Sequence, residues 1–187
     1  MLAEPATFLP GTPTVERFRS VQFINFRSFT VDVALAYAAG DEGILVAHGD
    51  QGGGYSMYVE DGHLFFAYNG YGVMTVVDGG PLADGTSSVA LVVEAPGSMR
   101  AHATLRVEGE VVGEARDLPL LTSMAPFEGI DVGIDRRSPV SWDVYERHGA
   151  FPWTGTLHSV AYTPGELAPD AGARWLDVLR ESASRYE

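Results

Sequence analysis

The chain contains no lysine and no cysteine. Without cysteine it has no disulfides, no thiol nucleophile and no thiolate-held zinc or iron–sulfur cluster. Without lysine it has no Schiff-base chemistry. Arginine supplies all 12 basic residues against 25 acidic ones, for a net charge of −13. Such a surface repels phosphate backbones, so no nucleic-acid partner is expected. No apolar run approaches the ~20 residues of a membrane span, and no membrane partner is expected. The opening MLAEPATFLPGTP lacks the basic start and apolar core of a signal peptide, so the chain as given is expected to be cytoplasmic. None of the five histidines falls in an H-x-H or H-E-x-x-H spacing, and neither a metal nor another cofactor is expected. There is no G-x-S-x-G; Ser56 lies in mid-strand text.

What remains is a chain of 187 residues, enough for one domain with its own core. Twenty-two glycines and 11 prolines punctuate many short apolar runs. Phe29, Val31, Val33 and Leu35 alternate with Thr30, Asp32 and Ala34, the period of a half-buried strand. GILVAHG is nearly continuously apolar, as in a buried central strand. Asp61-Gly62 is a strong two-residue hairpin signal, and Glu108-Gly109-Glu110 marks a second hairpin. About ten short strands are expected, including short ones near 130–134 and 156–162 with an irregular loop between them. TPGELAP reads as a stop. In ARWLDVLRESASR the period changes: Trp175, Leu176 and Leu179 share a helical face, with Val178 at its edge. This predicts an all-β jelly-roll sandwich over 18–163. Residues 1–17 read as a lead-in or linker, and 164–187 as an extension with a short helix.

Asp131 and Asp135 flank a strand-like run, and spacing four puts them on one face. They suit calcium, or they bond backbone amides and the Arg136–Arg137 guanidiniums to pin the loop that follows; the second reading is preferred. Glu60-Asp61 and Glu108/Glu110 read as turn acids rather than a hydrolytic pair. Gly52-Gly53-Gly54 precedes a strand, which fits close strand approach rather than phosphate binding. Among the aromatics, Tyr58, Phe66 and Tyr68 are the candidates for an exposed, sugar-stacking set, set against core or rim packing, which is the preferred reading.

Several linked stretches resemble the C-terminal β-sandwich region of large bacterial arylsulfatases. They are GGGYSMYVEDGHLFFAYNGYG, PLADG, LRVEGEVVGEAR and EGIDVGIDRRSPVSWDVYERHGAFPWTGTLHSVAY, within roughly residues 20–162. The resemblance implies a concanavalin A-like jelly roll behind a sulfatase catalytic domain. It implies no activity here, because the C/S-x-P-x-R signature is missing and Ser138-Pro139-Val140-Ser141 does not supply it. Ile134 and Arg136–Arg137 depart from the family pattern. By this resemblance Asp131, Gly133, Asp135, Ser138 and Pro139 form a structural loop. Tyr58, Tyr68, Trp142, Tyr145 and Trp153 are the candidates for ligand or partner contact. The leading expectation is a non-catalytic accessory domain packed on a sulfatase-like catalytic domain or another subunit. The alternatives are a carbohydrate-binding, lectin-like module and a small glycan hydrolase; a homo-oligomer is a further option.

Overall fold

The computed structural model describes residues 3–122 and 127–184, except for the side chains of 178–179 and 181–184. Among the described residues, eleven strands form two antiparallel sheets. They are β1 (Ala6–Phe8), β2 (Arg27–Ala36), β3 (Gly43–Asp50), β4 (Gly53–Glu60), β5 (His63–Gly70) and β6 (Val73–Pro81). They continue with β7 (Ser88–Gly97), β8 (Arg100–Val107), β9 (Glu110–Pro119), β10 (Ile130–Val132) and β11 (Thr156–Leu167). One sheet has the order β1-β11-β2-β7-β8-β9, the other β10-β3-β4-β5-β6. The expected jelly-roll sandwich is the observed architecture.

Turn chemistry sets the hairpins. Asp61 and Gly62 both take positive φ (50° and 77°), as do Glu108 and Gly109 (49° and 84°), the requirement of a tight two-residue turn. In β2 the apolar members of the alternation are buried and Asp32 is exposed. Inward residues of both sheets, among them Val31, Val33, Tyr55, Met57, Phe66, Leu91, Val160 and Tyr162, make the main core.

β3 is buried on both faces. A second, smaller cluster explains it: Ile44, Ala47, Tyr58 and Ala67 on the outer face of the five-stranded sheet lie under Val140, Val144 and Phe151. These covering residues come from the connection between β10 and β11. Its middle is a helix, α2 (Trp142–His148), where an irregular loop was expected; α1 (Arg17–Ser20) is the short helix before β2. The signals for α2 are local. Ser141 accepts a bond from the Val144 N–H, Asp143 lies in the first turn, Arg147 and His148 in the last, and Gly149 ends it at φ 68°.

Two other expectations change. β11 does not stop at TPGELAP but runs to Leu167, its register shifting between Pro164 and Leu167; a bulge lets the strand absorb the Pro-Gly pair. Part of the expected lead-in joins the sandwich. β1 pairs with β11, and Val15 exchanges backbone bonds with Ile130. Gly129 permits that approach, since a Cβ there would meet the Val15 carbonyl oxygen at 1.5 Å. The terminal helix is α3 (Ala171–Ser184). Trp175 packs its ring 5.4 Å from Phe26, whereas the side chains of Val178 and Leu179 lie outside the described residues.

Candidate functional site

The segment from β10 to β11 is braced by its acids. Asp131 Oδ1 accepts from Thr14 Oγ1 (2.6 Å) and from Arg136 Nη1 (3.0 Å), and its Oδ2 accepts from the Arg136 N–H (2.8 Å). Asp135 Oδ2 accepts from the Val140 N–H at 2.9 Å. The two acids do not share a strand face, because β10 ends at Val132 and Gly133 turns away at φ 71°. Burial pushes the Asp135 carboxyl up to about 7, and the negative fields of Asp131, Glu128 and Asp50 add to it. Arg137 faces Glu128 (3.6 Å), which also accepts from the Ser138 backbone, and Pro139 is buried. Buried Asn69 donates to the Gln51 and Val140 carbonyls (3.0 and 3.1 Å), fastening this segment to the β3–β4 turn. Asp131 thus accepts three hydrogen bonds from protein donors. Among the described residues no three His, Asp or Glu side chains converge as metal ligands.

The five candidate contact aromatics do not come together. Tyr58 and Tyr68 are buried, which corrects their assignment to an exposed set. Tyr58 points outward from its sheet but is roofed by the β10–β11 connection. Tyr68 lies opposite Tyr55, and Phe66 opposite Met57, so both face the main core. Trp142 and Tyr145 on α2 are exposed (51% and 37%) and meet edge to face at 5.5 Å. Trp142 Nε1 donates to Gln51 Oε1 at 2.9 Å, which holds the indole still.

Trp153 lines a pocket of about 500 Å³ with Pro10, Gly133, Ile134, Arg136, Gly155 and Leu157. It lies where the β10–β11 connection meets the start of β11 and the residues just after β1. Gly133 accepts from the Trp153 N–H (2.8 Å), which ties the two walls together. Arg136 spends one guanidinium N–H on Asp131, whose side chain is 5% exposed. A guanidinium has five donors in a fixed fork, so the rest of the fork is available to an anionic acceptor. The pocket therefore combines a half-buried indole, a pre-oriented cation and glycine backbone. Sequence reasoning found Trp153 and Gly133 but treated Arg136 only as a loop brace. Pro10 carried no signal, because β1 was not expected.

Of the acids considered for hydrolysis, Glu60 and Glu108 are engaged elsewhere. Glu60 accepts from Arg147 Nε and Nη2 (2.8 and 2.9 Å) and pairs with His148, and Arg147 holds its carboxyl below the usual range. Glu108 accepts from the Ser87 and Ser88 backbone N–H groups, which lower its pKa in the same way.

No family model matches the chain, and no curated protein matches it. Solved structures do. The CBM40 of Ruminococcus gnavus IT-sialidase bound to α2,6-sialyllactose aligns with TM-score 0.52 and 12% identity, over 79% of this chain and 80% of that one. Domains LG4-5 of the mouse laminin α1 chain align with TM-score 0.55 and 15% identity, over 86% and 41%. The leech intramolecular trans-sialidase aligns with TM-score 0.51 and 13% identity, over 78% and 22%. At these identities the likeness is one of fold. The sulfatase resemblance gains no support from it, and the chain is similar to these β-sandwiches in fold.

Proposed function

We propose that the chain is a non-catalytic carbohydrate-binding module that takes an acidic sugar in the Trp153–Arg136 pocket. The observation that carries this reading is the pairing of an indole wall with a guanidinium pre-oriented by buried Asp131. An apolar sugar face packs on the ring, and a sugar carboxylate takes the open side of the Arg136 fork. The neighbour solved with sialyllactose supplies the first probe.

Calorimetric titration with sialyllactose and with lactose tests it. Sialyllactose is expected to bind, and lactose about 10–100-fold more weakly, the equivalent of one charge-assisted hydrogen bond of about 1.5–3 kcal/mol. Arg136→Gln is expected to bring sialyllactose to the level of lactose, and Arg136→Lys to restore part of the difference. Equal binding of both sugars removes the acidic-sugar assignment. If neither binds, the accessory-domain reading takes precedence: it rests on the 20–162 resemblance and on exposed Trp142 and Tyr145 as a surface for a catalytic domain.

A further inference from the structure

The outer face of the six-stranded sheet carries a pocket of about 390 Å³ that shares no lining residue with the Trp153 pocket. Its size suits a small ligand, and its layout follows from strand register. Asp32 on β2 pairs with Ala161 on β11 and with Ala90 on β7, and Ala90 pairs with Arg106 on β8, so the four stand in one row across the sheet. Val31 and Val33, on either side of Asp32, are buried in the core, which turns Asp32 outward. Next to it along the same face of β2 are Thr30 and Ala34. A carboxylate is thus set among small side chains, and the space they leave is the pocket.

Neither charge in this row is neutralised by the protein. A cross-strand neighbour of opposite sign stabilises such a carboxylate, but both neighbours of Asp32 are alanines. Among the described residues no group bonds Asp32, and its partial removal from water raises its pKa with nothing to offset the shift. Arg106 Nη1 donates to the Gly109 carbonyl at 2.8 Å, which fixes the guanidinium at the pocket wall and leaves the rest of its fork open. Asp32 and Arg106 lie two strand spacings apart, ~10 Å between backbones. One end of the pocket only accepts and the other only donates. We propose that this pocket binds an amino sugar, its ammonium on Asp32 and its hydroxyl oxygens on the open N–H groups of Arg106. That the ligand is a sugar rests on the carbohydrate-binding reading above; that it is cationic rests on Asp32. A net charge of −13 draws cations, and a chain without lysine has no ammonium of its own to fill the place. A neutral sugar would leave the Asp32 charge uncompensated, so the two pockets select ligands of opposite sign.

Calorimetric titration with glucosamine, glucose and N-acetylglucosamine, slightly below neutral pH, tests it. Glucosamine is expected to bind about 10–100-fold more tightly than either of the others, the effect of one charge-assisted bond. Asp32→Asn is expected to remove that difference with the fold intact, because Asp32 is exposed. Ala90→Leu keeps every charge but fills the floor of the pocket, and it is expected to lose glucosamine as well; diffuse attraction to an acidic surface would survive it. Glucosamine that binds no more tightly than glucose, or that binds Asp32→Asn or Ala90→Leu as it binds the parent, overturns the proposal. Sialyllactose reads the Trp153 pocket, so either assignment can fail while the other stands.

Discussion

Phe66→Ala is expected to lower the unfolding free energy by about 3–5 kcal/mol in urea denaturation. Phe66 is fully buried between the sheets, opposite Met57, with the Tyr55 and Tyr68 rings 6.4 and 6.0 Å away. Truncation removes the ring's transfer free energy and leaves a cavity that neighbouring strands cannot close, because their register is fixed by backbone bonds. Val76→Ala on the same sheet is the control and is expected to change stability by under about 0.5 kcal/mol, since Val76 is largely in solvent. A loss below about 1 kcal/mol at Phe66 would show the ring at the surface.

Asp135→Asn and His48→Phe are expected to tilt the pH profile of stability in opposite directions. His48 is wholly buried between Tyr55 and Tyr162, with ring centroids 5.5 and 5.8 Å away. Tyr55 donates its hydroxyl to Tyr162 at 3.0 Å, so the His48 Nδ1, 3.4 Å from the Tyr55 oxygen, is assigned as the protonated nitrogen. Nε2 has no partner, and a proton placed there would be buried without an acceptor. Burial accordingly lowers the His48 pKa to about 3. The unfolded chain binds this proton near pH 6.5 and the folded chain near 3. The stabilisation is complete above 6.5 and is lost as pH falls toward 3, at about 1.4 kcal/mol per unit.

Asp135 works in the other sense. Its folded pKa is about 7 against an ordinary 3.8. Its stabilisation is present below 3.8 and is lost as pH rises through 7. Between 3.8 and 6.5 the two slopes oppose each other. Relative to the parent, Asp135→Asn should show stability climbing with pH across that window, and His48→Phe should show it falling. Denaturation midpoints measured at half-unit pH steps read both. Parallel profiles for parent and variants would mean that neither group is held in its uncharged form by the fold.

The sandwich was legible because its signals are local. Asp61-Gly62 dictates a hairpin through positive φ, and Phe29–Leu35 declares its faces by alternation. What failed was anything set by a distant cover. Tyr58 lies on the outward face of β4, and only the packing of Val140, Val144 and Phe151 makes it interior. Tyr68 and Phe66 were grouped with it, although pairing with Tyr55 and Met57 puts them inward; strand register was the missing information. Helix α2 carried its own caps in Ser141 and Gly149, but seven residues are too short for a convincing 3.6-residue period. Half of the pocket was readable. Trp153 and Gly133 stood out by type, whereas the role of Arg136 follows from the geometry of Asp131, and the Pro10 wall requires β1 to pair with β11.

The most direct measurement follows the indole N–H signals of the three tryptophans by NMR as sialyllactose is added. Binding in the pocket should shift the Trp153 signal in a saturable way and leave Trp142 and Trp175 in place. Saturable shifts at Trp142 with Trp153 unmoved, or no shift at any indole while the sugar binds, would contradict a site built on Trp153 and Arg136.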